Sequence, residues 1–239
     1  AVPAGPWATV GAAYDRISAN FAESRRFPWP FVAHWLAASP GGERLLVAGC
    51  GDGRHVAAAL EQGGFGEVLA LDLSQGMLRA ARSRLGPERC AEVAQFIHAD
   101  VRDIPLPSGC VDAVLSCAVL HHLPGAESRD ALGEFARVLR PGGRLLASAW
   151  DPRARAVAKR GRPVGGGDPH AYWVAWRCDD GGDVDRWYHL PPLPERRELW
   201  RDVPGLVPAS EPCLDRDNQV FEWTRALQAR ESRAAAAPL

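Results

Sequence analysis

Apolar runs alternate along the first 150 residues with segments whose apolar residues recur at helical spacing. The runs predict five strands, over 44–48, 67–71, 93–98, 111–117 and 144–150. The segments around them predict helices over 14–21, 31–38, 55–62, 75–85 and 129–139, with Ser74 as the N-cap of the fourth. The run at 111–117 is nearly all apolar, which is typical of a strand buried on both faces of a parallel sheet. The alternation therefore predicts an α/β fold with a doubly wound parallel sheet.

The pattern changes after residue 151. Residues 152–170 are rich in Arg, Gly and Pro without periodicity, which predicts a flexible loop. A short helix is expected over 195–202 and a late strand over 218–224. A length of 239 residues suits a single domain. We divide it into an N-terminal helical lid (1–40), a core (41–150) and C-terminal additions (151–239).

Composition narrows the functional classes. The chain is 46% hydrophobic and 24% charged, with a net charge of −1, so its overall charge does not favour nucleic acid. No apolar run reaches the ~18 residues of a membrane-spanning helix. The six cysteines form no C-x-x-C pair, so we predict free thiols, no metal site and a reducing, cytoplasmic compartment. The first residue is Ala1 rather than Met, which leaves open a removed leader.

The strand at 44–48 leads into a glycine turn, Gly49-Cys50-Gly51-Asp52-Gly53, and then into a helix. Glycines allow a tight turn and the close approach of a ligand to the backbone. A dinucleotide site favours G-x-G-x-x-G, whose third glycine would fall at position 54, and this chain has Arg54 there. The spacing therefore suits a nucleoside with an amino-acid tail better than a pyrophosphate.

Two carboxylates follow later strands of the predicted sheet. Asp72 follows the turn by the interval that places a carboxylate on ribose hydroxyls, and Asp100 ends the third strand. In a doubly wound sheet, ligands bind outside the carboxyl ends of the strands. We therefore expect the turn and both acids to surround one ligand.

The segments VAGCGDG, ALDLSQGM, HADVRDIPLPSGCVDAVLS and RVLRPGGRLL resemble class I S-adenosylmethionine-dependent methyltransferases over residues 43–150. The resemblance implies a Rossmann-like sheet of seven strands and S-adenosylmethionine as cofactor. It implies a role for each of ten residues: the methionine tail at Gly49, Gly51 and Gly53, the ribose at Asp72, the adenine between Leu73 and Met77 with its polar edge at Asp100 and Val101, and the floor near the sulfonium at Cys117 and Ala118. The family usually has an acid two residues before the first glycine, thought to help hold the cofactor's ammonium. Val47 stands there in this chain.

A narrower resemblance lies outside that core. YDRISANFAESRRFPWP, SCAVLHHL, DRWYHL and DRDN are similar to segments of the tRNA wobble-uridine carboxymethyl methyltransferases. This resemblance implies esterification of 5-carboxymethyluridine in the tRNA anticodon loop. It also implies a small zinc-binding activator protein as partner, which adds a strand to the sheet edge near the third strand.

A carboxylate acceptor is already ionised at neutral pH, so methyl transfer to it needs alignment rather than a base. Arginine suits that task because its planar guanidinium contacts both oxygens of a carboxylate. We assign Arg25 and Arg186 to the carboxylate or the cofactor tail, and His121 to positioning the acceptor. His122 is expected to be structural.

Two other functions remain open at this point. The core is shared by methyltransferases of small molecules, and the near-neutral charge favours that class slightly. Val47 is compatible with a non-catalytic, methyltransferase-like subunit. A basic patch (Arg153, Arg155, Lys159, Arg160 and Arg162) favours phosphate contacts or is simply an Arg-rich loop.

Overall fold

A computed structural model of the protein describes residues 6–23, 27–39 and 42–227. The strands found in that part of the chain form two sheets. In chain order they are β1 (Gly42–Ala48), β2 (Phe65–Asp72), β3 (Val93–His98), β4 (Val111–Cys117), β5 (Leu139–Trp150), β6 (Gly161–Pro163), β7 (Ala171–Arg177), β8 (Asp183–His189), β9 (Leu206–Pro208), β10 (Cys213–Asp215) and β11 (Asn218–Arg225).

The helices within the same ranges are α1 (Val10–Glu23), α2 (Pro30–Ala37), α3 (Arg54–Gln62), α4 (Gln75–Glu92), α5 (Gly125–Val138), α6 (Arg155–Arg160) and α7 (Leu193–Leu199). The first five lie where the periodicity predicts them. Ser74 caps α4, since its Oγ accepts a hydrogen bond of 3.0 Å from the N–H of Met77. α4 extends beyond its predicted end at residue 85, across a break at Gly86, whose φ is 70°.

The larger sheet has the order β10-β11-β5-β4-β1-β2-β3, with β9 paired to β11. β1 to β5 are parallel, and β11 runs antiparallel to β5. From β1 the chain builds outward to β3, then returns to add β4 and β5 on the other side. The doubly wound α/β prediction is confirmed. The sheet has eight strands rather than seven, because two three-residue strands, β9 and β10, both pair with the edge of β11 that faces away from β5.

Alternate residues of β1 point to opposite faces of this sheet, as the twofold periodicity of a strand requires. Leu45 and Val47 pack on one face, together with residues of α2, α3 and α4. Leu46 and Ala48 pack on the other face, with residues of α5 and with Trp200. β4 is buried on both faces along nearly its whole length, which accounts for its unbroken apolar sequence.

The prediction of a flexible loop over residues 152–170 is wrong. That segment contains α6 and β6, and β6 begins a second, antiparallel sheet of order β6-β7-β8. The sheet packs through Val174 and Tyr188 against Trp150 at the end of β5. The many Gly and Pro residues hide these elements from periodicity, because tertiary burial rather than local propensity stabilises them.

α1 is fastened to the N-terminus of α4. Asp15 Oδ1 accepts hydrogen bonds from Ser74 Oγ at 2.6 Å and from the Gly76 N–H at 2.7 Å. Burial alone raises the pKa of Asp15, but these hydrogen bonds outweigh it and hold the pKa below its usual value. A Cβ on Gly76 would lie 3.0 Å from the backbone of Asp15, so the glycine allows the two helices to approach closely. Across residues 6–23, 27–39 and 42–227, no helix is both long and apolar enough to cross a membrane.

Candidate active site

A cavity of about 330 Å³ opens at the carboxyl ends of β1, β2 and β4, where the order of the parallel strands reverses. A doubly wound sheet binds its ligands at this place, and the volume lies in the range of small-molecule sites. Two sides of the cavity differ in their residues. We call them the glycine side (Gly49, Gly51, Asp72 and Asp100) and the histidine side (Tyr14, His121, His122, Trp150 and Tyr188).

The glycine turn after β1 has left-handed backbone at Gly49, Gly51 and Gly53, with φ between 52° and 79°. Gly49 and Gly51 line the cavity. No atom lies within 4 Å of a Cβ placed on Gly51, so its backbone faces open space. A Cβ on Gly53 would lie 2.9 Å from that of Ala81, and Gly53 does not line the cavity. The missing side chain of Gly53 therefore allows α3 to pack closely on α4, and its predicted contact with the cofactor stays a prediction.

Asp72 ends β2 and lines the cavity beside this turn. Its carboxylate accepts hydrogen bonds from the Gly51 N–H at 2.8 Å and from the Ser74 N–H at 2.9 Å. Burial raises the pKa of Asp72 to about 6 in spite of these two hydrogen bonds. Each oxygen keeps a lone pair for a further donor, so the group can accept hydrogen bonds from a vicinal diol such as ribose.

Asp100 follows β3, and Arg102 binds both of its oxygens. Arg102 Nε lies 3.0 Å from Oδ1, and a terminal guanidinium nitrogen lies 2.6 Å from Oδ2. Burial acts to raise the pKa of Asp100, but the hydrogen bonds from Arg102 prevail and lower it. The predicted adenine-binding residues Leu73, Met77, Asp100 and Val101 all line the cavity.

The predicted floor also lines the cavity. Cys117 ends β4, and burial raises the pKa of its thiol to about 12. Ala118 has a left-handed backbone with φ of 58°. Val47, by contrast, is buried in the core of the sheet. The open space at Gly51, beside the carboxylate of Asp72, fits a nucleoside that carries an amino-acid tail.

His121 and His122 lie in the 3-10 turn after β4, and both are buried and line the cavity. His121 Nδ1 accepts a hydrogen bond of 2.8 Å from the Trp150 N–H, so a neutral His121 carries its proton on Nε2. His122 donates from Nδ1 to the Trp187 carbonyl and accepts from the Tyr14 hydroxyl at Nε2, both at 2.8 Å. Burial lowers the pKa of His122 to about 3. It is therefore neutral at physiological pH and joins α1 to β8.

Arg186 is 2% exposed and does not line the cavity. Its guanidinium lies behind the histidine side, 5.1 Å from the ring of Trp176 and 5.3 Å from that of Tyr188, and it donates to the Tyr14 hydroxyl at 3.4 Å. No carboxylate within the described ranges pairs with it, and its Nε has no hydrogen-bond partner there. Arg186 therefore contacts Tyr14 from behind the residues that line the cavity. Arg25, the other predicted arginine, lies outside the described residues.

The sequence did not indicate the aromatic wall of the cavity. Tyr14, Phe21, Trp29, Trp150 and Tyr188 all line it, although they come from four separate parts of the chain. Two features of the sequence could have indicated this wall. Trp150 ends a predicted strand at the ligand-binding edge, and Tyr14 begins the predicted first helix. Arg54 also lines the cavity, directly after the glycine turn.

The basic patch is partly neutralised. Arg153 pairs with Asp151 at 2.7 Å, and Arg162 pairs with Asp185 at 2.5 Å. The other three positive residues, Arg155, Lys159 and Arg160, belong to α6. The patch therefore carries less net charge than its sequence suggests.

Several curated proteins resemble this chain, among them three that are named as methyltransferases. It matches a tRNA (carboxymethyluridine(34)-5-O)-methyltransferase, ALKBH8 of Mus musculus, with 34% identity over 142 residues, which is 59% of this chain and 20% of that protein. The chain thus spans about a fifth of that relative's length. A putative methyltransferase of Encephalitozoon cuniculi is 31% identical over 191 residues, 79% of this chain and 83% of its own. A demethylmenaquinone methyltransferase of Clavibacter sepedonicus is 33% identical over 153 residues, 64% of this chain and 59% of its own.

A solved structure and a family model also match this chain. A chain from the complex between the Haloferax volcanii Trm112 methyltransferase activator and its putative methyltransferase aligns with a TM-score of 0.63 at 20% identity, over 89% of this chain and 97% of that one. The family model of the methyltransferase domain matches residues 46–147, from β1 to β5. The chain therefore belongs to the class I S-adenosylmethionine-dependent methyltransferases, and S-adenosylmethionine is its cofactor.

Proposed function

We propose that the protein esterifies the carboxylate of 5-carboxymethyluridine at the wobble position of tRNA. The observation that carries the proposal is the state of the two histidines beside the cavity. His122 has both ring nitrogens hydrogen-bonded and a pKa of about 3, and His121 Nδ1 accepts the Trp150 N–H. These contacts suit imidazoles that position an acceptor rather than remove its proton. A carboxylate acceptor needs no proton removed, because it is ionised at neutral pH.

The aromatic wall supports a planar acceptor. Trp150 and Tyr188 are stacked, with ring centroids 5.1 Å apart and 18° between their planes, and His121 lies 4.8 Å from Tyr188. Aromatic faces bind unstacked bases, and RNA-modifying sites read such bases out of single-stranded loops. In this proposal, His121 donates from Nε2 to the uridine, while Gly49, Gly51, Asp72 and Asp100 hold the cofactor whose sulfonium supplies the methyl group.

Two further elements belong to the proposal. In this proposal, a small activator protein pairs with β3, which forms one edge of the described sheet and has exposed residues at Ala94, Gln95 and His98. The proposed active protein is a single methyltransferase domain that works in the cytoplasm. Size-exclusion chromatography of the protein with a candidate activator tests the partner, and two separate peaks at micromolar concentration would contradict it.

The test of the activity uses labelled S-adenosylmethionine, the candidate activator and total tRNA from a strain that lacks the esterified base. We expect label in the wobble nucleoside after digestion, and alkaline treatment should release it, because the product is an ester. tRNA that already carries the ester serves as the control. Label in any other nucleoside, or none in tRNA while the protein binds the cofactor, would contradict the proposal.

Arg186 gives a residue-level test. Because it hydrogen-bonds Tyr14 from behind the cavity wall, Arg186→Gln should lower kcat on tRNA about 10-fold, with cofactor affinity changed less than twofold. Calorimetry and steady-state kinetics measure the two quantities, and circular dichroism checks the fold. An equal loss of cofactor affinity would contradict this positioning role.

A small-molecule acid is the second candidate acceptor. It is favoured by the neutralised basic patch, because Arg153 and Arg162 already pair with Asp151 and Asp185. The same labelled assay with free 5-carboxymethyluridine nucleoside separates the two. Turnover of the free nucleoside at the rate seen with tRNA would favour the small-molecule alternative.

A further inference from the structure

The cavity holds two guanidinium groups among the described residues that line it, those of Arg54 and Arg102. Arg102 binds both oxygens of Asp100, so its charge belongs to the adenine side. Two acids border the glycine turn. Asp52 is 1% exposed and binds Arg84 at 2.7 Å, and Asp72 already accepts two backbone N–H groups.

Arg54 is the first residue of α3 and follows the glycine turn directly. Its guanidinium carbon lies 4.2 Å from the centroid of the Trp29 ring, a cation–π geometry that holds the side chain over the cavity. Its charge also reaches the floor, where it acts against the burial that raises the pKa of Cys117. The side chain therefore extends its positive field from the turn toward the end of β4.

The backbone beside Arg54 reinforces this positive field. The N-cap of α3 is Gly53, which offers no side chain to the first N–H groups of the nine-residue helix. Such N–H groups and the helix dipole favour an anion. Position 47, where the family usually has an acid, is occupied by Val47, which is buried in the sheet core. The turn is thus equipped for the negative end of an amino-acid tail more than for its ammonium.

We infer that Arg54 binds the carboxylate of the methionine tail of S-adenosylmethionine, with Trp29 holding the guanidinium in place. Arginine matches a carboxylate because two parallel N–H groups face its two oxygens. In this chain, the tail is anchored through its carboxylate, which offsets the missing acid at position 47.

Calorimetry with two ligands tests the inference without relying on activity. The ligands are S-adenosylmethionine and its decarboxylated analogue, which lacks only the tail carboxylate. The wild-type protein should bind the analogue roughly 10- to 100-fold more weakly than S-adenosylmethionine. Arg54→Gln should weaken S-adenosylmethionine binding by a similar factor and leave analogue binding within about twofold of wild type. The affinity of Arg54→Lys for S-adenosylmethionine should lie between those of the wild type and Arg54→Gln, because lysine keeps the charge but lacks the two parallel N–H groups.

Arg102→Gln is the matched control, since it removes the other guanidinium in the cavity lining. This variant should weaken the binding of both ligands equally, because Arg102 acts through Asp100 on the adenine, which both ligands carry. Thermal unfolding checks that each variant is folded. Arg54→Gln weakening both ligands equally would overturn the inference. So would unchanged affinity for S-adenosylmethionine combined with a raised KM for the methyl acceptor, which would assign Arg54 to the acceptor carboxylate instead.

Discussion

The glycine side and the histidine side of the cavity are assembled in different ways. Gly49, Gly51 and Asp72 come from one β-α-β segment, and the Gly51 N–H reaches Asp72 Oδ2 across 21 positions. The histidine side is joined over much longer separations, since Tyr14 contacts His122 across 108 positions and Arg186 contacts Tyr14 across 172. Residues that lie close together in the chain leave a motif in the sequence. Residues that come from three distant elements do not.

Gly49 of the glycine side lies against Val119, which precedes the histidine turn, and the largest expected effect comes from overfilling this contact. Gly49 has a φ of 75°, and a Cβ there would lie 2.1 Å from Cγ2 of Val119, next to the histidine turn. Gly49→Ala should therefore lower the free energy of unfolding by about 3–5 kcal/mol, from backbone strain and overlap together. Urea denaturation followed by circular dichroism measures it.

Val119→Ala on the Gly49→Ala background separates the two causes. It should recover part of the loss, leaving the backbone strain of about 1–3 kcal/mol. If the double variant shows no favourable coupling in a double-mutant cycle, the two sides do not touch at this point.

Asp72→Ala should have the next largest effect and stay confined to the glycine side. It removes an acceptor of charged hydrogen bonds from the ribose and leaves the Gly51 and Ser74 N–H groups without their carboxylate. We expect cofactor affinity to fall about 100-fold, from two such bonds of about 1.5 kcal/mol each. Calorimetry measures it, with Asp72→Asn as the isosteric control that should lose less. Affinity within threefold of wild type would contradict the placement of the ribose.

The histidine side should make the free energy of unfolding depend on pH. His122 on this side, and His189 at the end of β8 outside it, have pKa values lowered by burial to about 3 and about 4, below the ~6.5 of an unfolded chain. The unfolded protein therefore binds more protons between pH 4 and 6.5, and stability should fall as the pH drops. Each histidine contributes up to about 1.4 kcal/mol per pH unit in that window.

His122→Gln should remove its share of this slope while keeping a hydrogen-bonding side chain. Denaturation curves at pH 7, 6 and 5 give the slope for both proteins. An unchanged slope would show that His122 is not the buried neutral group described above.

The smallest expected effect returns to the glycine side. Burial raises the pKa of Asp72 to about 6, so acid protonates the group that accepts the ribose hydroxyls. Cofactor affinity should be about fourfold weaker at pH 5.5 than at pH 7, since roughly a quarter of Asp72 remains ionised there. Asp72→Asn should flatten this profile and His122→Gln should not. The opposite pattern would assign the titration to the wrong side of the cavity.

Periodicity predicted the core strands and helices, because in β4 and α4 local pattern and burial agree. The glycine spacing and the strand ends predicted the turn, Asp72 and Asp100, because each of them lies where a strand ends at the ligand-binding edge. It failed over residues 152–170, where the second sheet is stabilised by packing on Trp150 rather than by local propensity. Arg186 lies behind the cavity wall and Gly53 lies against Ala81, positions that the sequence does not indicate, because a residue type does not reveal whether its neighbour is a ligand or another part of the protein.

The fastening of α1 by Asp15 bears on the kinetics of ligand exchange. α1 supplies Val10, Gly11, Tyr14 and Phe21 to the cavity wall, so any motion that lifts it from α4 breaks both hydrogen bonds of Asp15. The partners, Ser74 and Gly76, follow Asp72 by only two and four positions. We therefore expect the residence time of the spent nucleoside to lengthen as the contact between α1 and α4 is strengthened.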